Sequence, residues 1–428
     1  MSLPTGDPAA LGFDAGRLNR VTTWLERQID SERLAGASVL VLRHGKAAYL
    51  EARGLRDLES AAPFTEDTVV RIYSMTKPVT TVAAMQLYEA GCFQLDDPIS
   101  RYLPEFADTP VWRGGALTDT EAQASPISVR HLMTHTSGLT YGFMQSNVVD
   151  AEYRARGIEF PGAGGRLSDW VERVAELPLI CQPGAQWNYS VSTDVLGRLV
   201  EVWSGQSLAD YLETHVLAPL GMADTRFTVR AEDRARFASL YAPLTGGGLG
   251  GIARTADAAE QAARGGLKLQ EDGADSRFLE RTELYSGGGG LTGTIGDYGR
   301  FCQMLLNGGA LDGVRILSPA TVRYMRTNQL PGNVDMAAMG QPVWSETSYE
   351  GIGFGLGFAV VIDPVKAHII TSPGEHHWGG AASTFFWLDP TEGLAVVFFT
   401  QLMPSSTYPV RRELRVAVYQ ALVESARS

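Results

Sequence analysis

A hydroxyl three residues ahead of an amine, at the mouth of a helix, is the pattern in this chain that points most directly to covalent chemistry. It lies in Arg71-Ile72-Tyr73-Ser74-Met75-Thr76-Lys77-Pro78-Val79. A short apolar strand, Thr68–Ile72, leads in, and Val79, Val82, Ala83, Met85 and Leu87 lead out along a helix ending at Gly91. A serine placed there has an unpaired backbone N–H that can face an oxyanion, and the helix dipole favours negative charge beside it. Lys77 falls on the same helical face, within reach of the Ser74 hydroxyl. The chain has only four lysines (Lys46, Lys77, Lys268, Lys366), and Lys77 alone has a serine three residues earlier. A cation in a first helical turn opposes the dipole. Its presence at that end argues for a use beyond solvation.

Ser74 needs a base. Lysine ordinarily titrates near 10.4 and tyrosine near 10, so making either a base at neutral pH costs about 4 kcal/mol. Burial lowers the lysine value and a neighbouring cation lowers the tyrosine value, so a Lys–Tyr pair sharing one proton titrates as a unit. The best-placed phenol is Tyr189, which follows the Pro183-Gly184 turn and precedes a helix that Ser190 or Ser192 can cap. A third stretch, Glu375-His376-His377-Trp378-Gly379-Gly380-Ala381, opens an apolar strand. Its two glycines allow close backbone approach, and the Ala381 N–H can complete an oxyanion hole with that of Ser74. Trp378 would cover the site.

These groups must be positioned by a chain of 428 residues, with 44% apolar and 20% charged residues, long enough for one large or two fused domains. A net charge of −12 disfavours nucleic acid and anionic membranes as partners. No apolar run approaches the length of a membrane span. The N-terminus lacks the basic and apolar regions of a signal peptide, and Cys92, Cys181 and Cys302 form no pairing pattern. The expectation is a cytoplasmic protein with buried, unpaired cysteines. Gly246–Gly251 and Gly288–Gly293 both satisfy GxGxxG but lack the strand–turn–helix context of a dinucleotide site, and are expected as flexible loops. His131 and His135 lack the glutamate and third ligand of a zinc site. No cofactor or metal is expected.

The pattern predicts a helix after the N-cap Asp14, a hairpin (Ala37–Arg43, Ala47–Leu50), then the nucleophile strand and helix. Helices follow at Leu167–Leu177, Ser190–Trp203, Ser207–Leu217, Ile295–Leu306 and Pro319–Thr327. The last third turns to strands, at Gly355–Ile362, Ala367–Thr371, Ser383–Leu388 and Leu394–Thr400, before an amphipathic helix from Val410 to Glu424. Strands at both ends with helices between imply an α+β fold. Residues 1–91 and 226–428 would form a sheet domain and 92–225 a mainly helical one, with the active site in the cleft between them.

The motifs Ser74-x-x-Lys77, Leu132–Leu139 (with His135-Thr136-Ser137-Gly138), Pro183-Gly184…Tyr189-Ser190…Asp194–Gly197, Gly288-Gly289-Gly290-Leu291 and Trp378-Gly379-Gly380 occur in the order of the class C β-lactamase-like superfamily. The chain resembles a family VIII carboxylesterase from about residue 10 to its end. The resemblance implies a β-lactamase/penicillin-binding-protein-like fold, with a central antiparallel sheet flanked by helices. It also implies Ser74 as nucleophile, Lys77 and Tyr189 as the acid/base pair, and an oxyanion hole from Ser74 and Ala381, with Trp378, Gly379 and Gly380 lining the substrate site. Two departures from β-lactamases stand out: Tyr189-Ser190-Val191 replaces Tyr-x-Asn, and Trp378 stands in place of the strand lysine. Both argue against tight recognition of an anionic β-lactam, and Trp378 suits an apolar acyl or alcohol group; the expectation is a carboxylesterase cleaving esters of short to medium acyl chains through an acyl-enzyme on Ser74. The alternatives are a β-lactamase or D-amino-acid peptidase, an acyltransferase using the same site, or an inert scaffold.

Overall fold

The computed structural model describes residues 3–158, 165–244, 265–340 and 349–426. The expected flexible loop Gly246–Gly251 lies outside them. An eight-stranded antiparallel sheet carries the fold. Its strands run in the order Ile352–Phe354, Ala359–Val361, His376–Gly379, Phe385–Asp389, Leu394–Thr400, β1 (Gly36–Arg43), β2 (Lys46–Asp57) and β3 (Ala62–Pro63). Every neighbour pairs antiparallel. The two chain ends meet where β1 pairs Leu394–Thr400, Val39 opposite Phe398.

Both faces of the sheet are covered, so β1 and Leu394–Thr400 read as continuous apolar runs. Val39, Val41, Val396 and Phe398 point to the back, into a core closed by α1 (Ala15–Asp30) and the helix Val410–Tyr419. Asp14 caps α1 by accepting the Arg17 N–H at 2.8 Å. Leu40, Leu42, Val397 and Phe399 point to the front, into the larger core shared with α2 (Thr76–Glu89). α2 is buried from Thr76 to Met85 on every side, which makes it the hub of the front layer and not a surface helix with one apolar face. Helix Ser192–Ser204 packs against it, and Ile295–Leu306 lies against β1 and Leu394–Thr400. The Tyr298 hydroxyl ties that second helix to the Met75 carbonyl at 2.9 Å.

Several expected elements differ. The strand leading to Ser74 shrinks to Val70–Arg71, paired with Thr292–Gly293 outside the large sheet. Gly355–Ile362 is the second half of a hairpin: Ile352–Phe354 turns through Gly355–Phe358 into Ala359–Val361. Ala367–Thr371 is turn and bend, because the Pro364 and Asp363 carbonyls accept N–H groups within that segment and close it locally. Neither Ser190 nor Ser192 caps a helix by side chain; their hydroxyls bond each other at 2.7 Å, and Val191 occupies the cap position.

Candidate active site

Ser74 sits in the 3-10 turn Tyr73–Met75 that joins Val70–Arg71 to α2. Tyr73 adopts φ +43°, a left-handed conformation costly for a bulky residue and characteristic of functional turns. The turn is held from both ends. Gln401 accepts the Arg71 N–H and donates to the Arg71 carbonyl, each at 3.1 Å, while the Thr76 hydroxyl accepts the Leu291 N–H at 3.1 Å.

The structure brings the serine, the lysine and the phenol together. Lys77 is 1% exposed, and its Nζ donates to Ser74 Oγ at 3.3 Å, to the Tyr141 hydroxyl at 3.0 Å and to the Gly288 carbonyl at 2.7 Å. Burial lowers its pKa to about 7, against the opposing attraction of Asp194. The Tyr189 hydroxyl donates to Ser74 Oγ at 2.6 Å, and Lys77 Nζ stands 4.6 Å from the centre of its ring. Burial pushes the Tyr189 pKa up; Ser74, the Trp378 indole and Arg411 pull it down without reversing that. At neutral pH the phenol therefore holds its proton, while the amine is poised to lose one. The two pKa values have been driven apart, which separates a proton donor from a proton acceptor.

Tyr141 and Asp194 belong to this cluster and were not singled out by spacing. Tyr141 follows the Ser137-Gly138-Leu139 stretch, but nothing in the pattern of residues around it marks the phenol. Its ring stacks on Phe143 at 4.5 Å and lies 5.3 Å from Tyr189. Asp194 lies in the first turn of Ser192–Ser204, fully enclosed, with a pKa raised by burial. Its Oδ1 accepts the Gly288 N–H at 3.0 Å and the Ser286 hydroxyl. One residue thus links the carboxylate to the amine: Gly288 gives its N–H to Asp194, and its carbonyl accepts from Lys77. The glycine run expected as a mobile loop is buried here, with the Gly287 carbonyl accepting the Thr80 hydroxyl at 2.9 Å. A Cβ at position 288 would overlap the Asp194 carboxylate, which is why glycine stands there.

The strand His376–Gly379 forms the facing wall. It pairs with Ala359–Val361 only through His376 and His377, so beyond that point its edge is open. Trp378 points to the front, its ring 5.4 Å from Tyr189 and 5.3 Å from Phe354. Gly379 pairs with Phe385 on the back, where any Cβ would overlap the Arg411 guanidinium. Its missing side chain therefore makes room for Arg411, a residue that sequence reasoning overlooked on an otherwise ordinary amphipathic helix. A Cβ on Gly380 would collide with the Ile72 carbonyl, two residues before Ser74, so glycine at 380 lets Ala381 lie alongside the nucleophile turn.

The histidines are accounted for elsewhere. His376 is 1% exposed beside Phe358, and His377 bonds Glu375 at 2.8 Å. His131 completes a capping box with Ser128, while His135 packs 4.9 Å from the Tyr189 ring. Among the described residues no group of three His, Cys, Asp or Glu side chains is arranged to hold a metal ion, and no helix is long and apolar enough to cross a membrane.

A family model described as "Beta-lactamase" matches residues 21–421. The chain is 36% identical over 381 residues to Protein Rv1367c of Mycobacterium tuberculosis, covering 88% of each chain. It is 34% identical over 424 residues to esterase EstB of Burkholderia gladioli, covering 98% of this chain and all of the esterase. Among solved structures, EstCE1, "a hydrolase with promiscuous acyltransferase activity", superposes with a TM-score of 0.76 at 29% identity, over 96% of this chain and 99% of its own. The chain therefore belongs to the β-lactamase family, as a serine hydrolase grouped with its family VIII esterases.

Proposed function

We propose that this protein is a carboxylesterase that works through an acyl-enzyme on Ser74, in a cleft between the sheet-bearing part of the chain and the helical segment 92–225. One observation carries the reading: a buried amine near neutrality and a protonated phenol both touch the same serine oxygen, at 3.3 and 2.6 Å. Neutral Lys77 takes the Ser74 proton as the oxygen attacks the ester carbonyl. The developing oxyanion is received by the N–H groups of Ser74 and Ala381. Tyr189 hands its proton to the departing alkoxide and regains one from the Lys77 ammonium. Water then enters, gives its proton to the same pair, and releases the acid.

Trp378 at the strand edge, where a β-lactamase has a lysine, supports apolar esters over anionic lactams. A second reading is supported by EstCE1, whose title records acyl transfer beside hydrolysis: an alcohol that displaces water would make the same intermediate a transfer donor.

The test is Ser74→Ala with short p-nitrophenyl esters. Turnover should vanish with the circular dichroism spectrum unchanged, and a sulfonyl fluoride should add its mass to Ser74 in the parent protein. Turnover surviving in the variant would refute the assignment, and a higher kcat/KM for a cephalosporin than for a butyrate ester would overturn the choice of substrate. Tyr189→Phe should slow the parent reaction by about 10²–10⁴-fold.

A further inference from the structure

The Leu132–Leu139 motif has no part in the mechanism above, yet one of its residues grips three consecutive residues of the tyrosine loop. The His135 carbonyl accepts the Asn188 N–H at 2.8 Å, its ring packs 4.9 Å from that of Tyr189, and its Nδ1 meets the Ser190 hydroxyl at 3.2 Å. Val191 is tied to the same stretch, its N–H donating to the Thr140 carbonyl at 3.3 Å. His135 does this from φ +55°, a left-handed conformation unfavourable for a residue with a side chain. Such strain persists only where the surrounding contacts over-determine it, and it gathers at functional sites.

The imidazole is oriented by a row of three buried hydroxyls. Nδ1 meets Ser190, Ser190 meets Ser192 at 2.7 Å, and Ser192 meets Ser137 at 2.8 Å. Among the described residues Ser137 Oγ has two partners, and one of them, the Leu139 N–H at 3.2 Å, is itself a donor. The Ser137 proton must therefore go to Ser192, the Ser192 proton to Ser190, and the Ser190 proton to Nδ1. That direction makes Nδ1 an acceptor and puts the ring's own proton on Nε2. An imidazolium, with donors on both nitrogens, would break the row at its first bond. Burial and the nearby Lys77 charge also keep the ring neutral.

We propose that His135 is a positioning residue for proton transfer from Tyr189: the serine row locks the plane of its imidazole, and the locked ring holds the phenol against Ser74 Oγ. The proposal rests on the esterase reading above. Tyr141 and Trp378 approach the Tyr189 ring at 5.3 and 5.4 Å, and His135 is nearer than either. A phenol that loses this support drifts from the departing oxygen, while the nucleophile turn and the oxyanion N–H groups stay where they are. The damage should then depend on the leaving group. An alkyl alkoxide departs only with a proton, whereas p-nitrophenoxide, a far weaker base, departs without one.

The experiment compares kcat/KM, which reports acylation, for ethyl butanoate and p-nitrophenyl butanoate. His135→Phe keeps a ring and removes the Nδ1 acceptor. It should slow the ethyl ester by about 10²-fold and the p-nitrophenyl ester by about tenfold or less. Ser190→Ala is the milder change and carries the test should His135→Phe fail to fold. It should lower the ratio of ethyl to p-nitrophenyl turnover by about fivefold. The double variant should be no worse than His135→Phe alone, because both changes cut the same bond. Equal losses on the two esters would reduce His135 to a support of the fold and overturn the proposal, as would losses that multiply in the double variant. A parent protein inert on both esters would refute the esterase reading and this role with it; an active parent whose ratio neither variant moves would refute the positioning role alone.

Discussion

Two buried acid–base clusters lie on opposite sides of the sheet, and they have opposite characters. On the front, Asp194 and Lys77 are both enclosed, yet they are joined through the backbone of Gly288 instead of touching. Burial dominates each: the carboxyl is pushed up, and the amine is brought down to about 7. On the back, Glu375 is fully buried but meets the Arg415 guanidinium at 2.7 Å, His377 at 2.8 Å and the Thr371 hydroxyl. Burial would raise its pKa there too, but the contacts outweigh it and hold the carboxylate far below its ordinary range. Direct contact fixes charge, whereas separation by an intervening residue leaves it adjustable. Burial of a charged residue therefore does not distinguish catalysis from support; the distance to its counter-charge does.

The largest break in this contrast should come from Lys77→Arg. It keeps the charge but cannot be deprotonated at accessible pH, so the proton acceptor is lost. We expect kcat/KM on p-nitrophenyl butyrate to fall by about 10⁴-fold, with no recovery between pH 6 and 10. A conserved rate would mean that the amine acts only as a cation and that the base lies elsewhere.

Glu375→Gln attacks the other cluster. Removing one partner of a buried pair should lower unfolding free energy by about 3–5 kcal/mol, read by urea denaturation, while the folded variant keeps its acylation chemistry. The pH dependence follows from the sign of the shift. A carboxylate with a depressed folded value stabilises the protein above the ordinary pKa of 4.5 and loses that contribution as pH falls. The gap between parent and variant should therefore be full at pH 7 and shrink below about 4.5. A stability-neutral variant with a crippled rate would reverse the roles assigned to the two faces.

The degree to which each part was legible follows the same division. Ser74, Lys77 and the sheet's apolar strands announce themselves through local pattern: three residues of helix, or an unbroken run such as Leu394–Thr400. Tyr189 needed only a turn signal ahead of a helix. Tyr141 and Arg411 had no such mark, and Asp194 stood only inside the Asp194–Gly197 motif with no role attached, because each acts across 32 or more residues of chain, through contacts that only the folded front or back layer creates. The Gly287–Gly290 run was misjudged for a related reason. Glycine reads as freedom in a sequence, but here it is the only residue that fits between Asp194 and Lys77. Ala367–Thr371 failed because its β-branched residues are outvoted by hydrogen bonds to Asp363 and Pro364.

Tyr141→Phe offers a finer probe of the front cluster. It deletes one of three acceptors around Lys77 Nζ, at 3.0 Å, and should cost about tenfold in kcat, far less than the loss of Tyr189. Equal losses in the two variants would make the phenols interchangeable and remove the distinction between them.

The smallest effect expected is also the most specific. For the parent enzyme kcat/KM should rise through about pH 7, as Lys77 loses its proton. Asp194 stabilises the ammonium, so Asp194→Asn withdraws that attraction while leaving an oxygen for the Gly288 N–H. The acidic limb should move to lower pH, and the ratio of activity at pH 6 to that at pH 8 should rise even if the maximal rate falls. Stability shifts in the same window. Between about 7 and 10.5 the unfolded chain binds a proton at Lys77 that the folded chain does not, so this group's contribution to stability grows with pH there. In Asp194→Asn that window should open at lower pH. A limb that stays in place would mean that Asp194 only props up the glycine loop; one that moves upward would contradict the electrostatic coupling through Gly288 altogether.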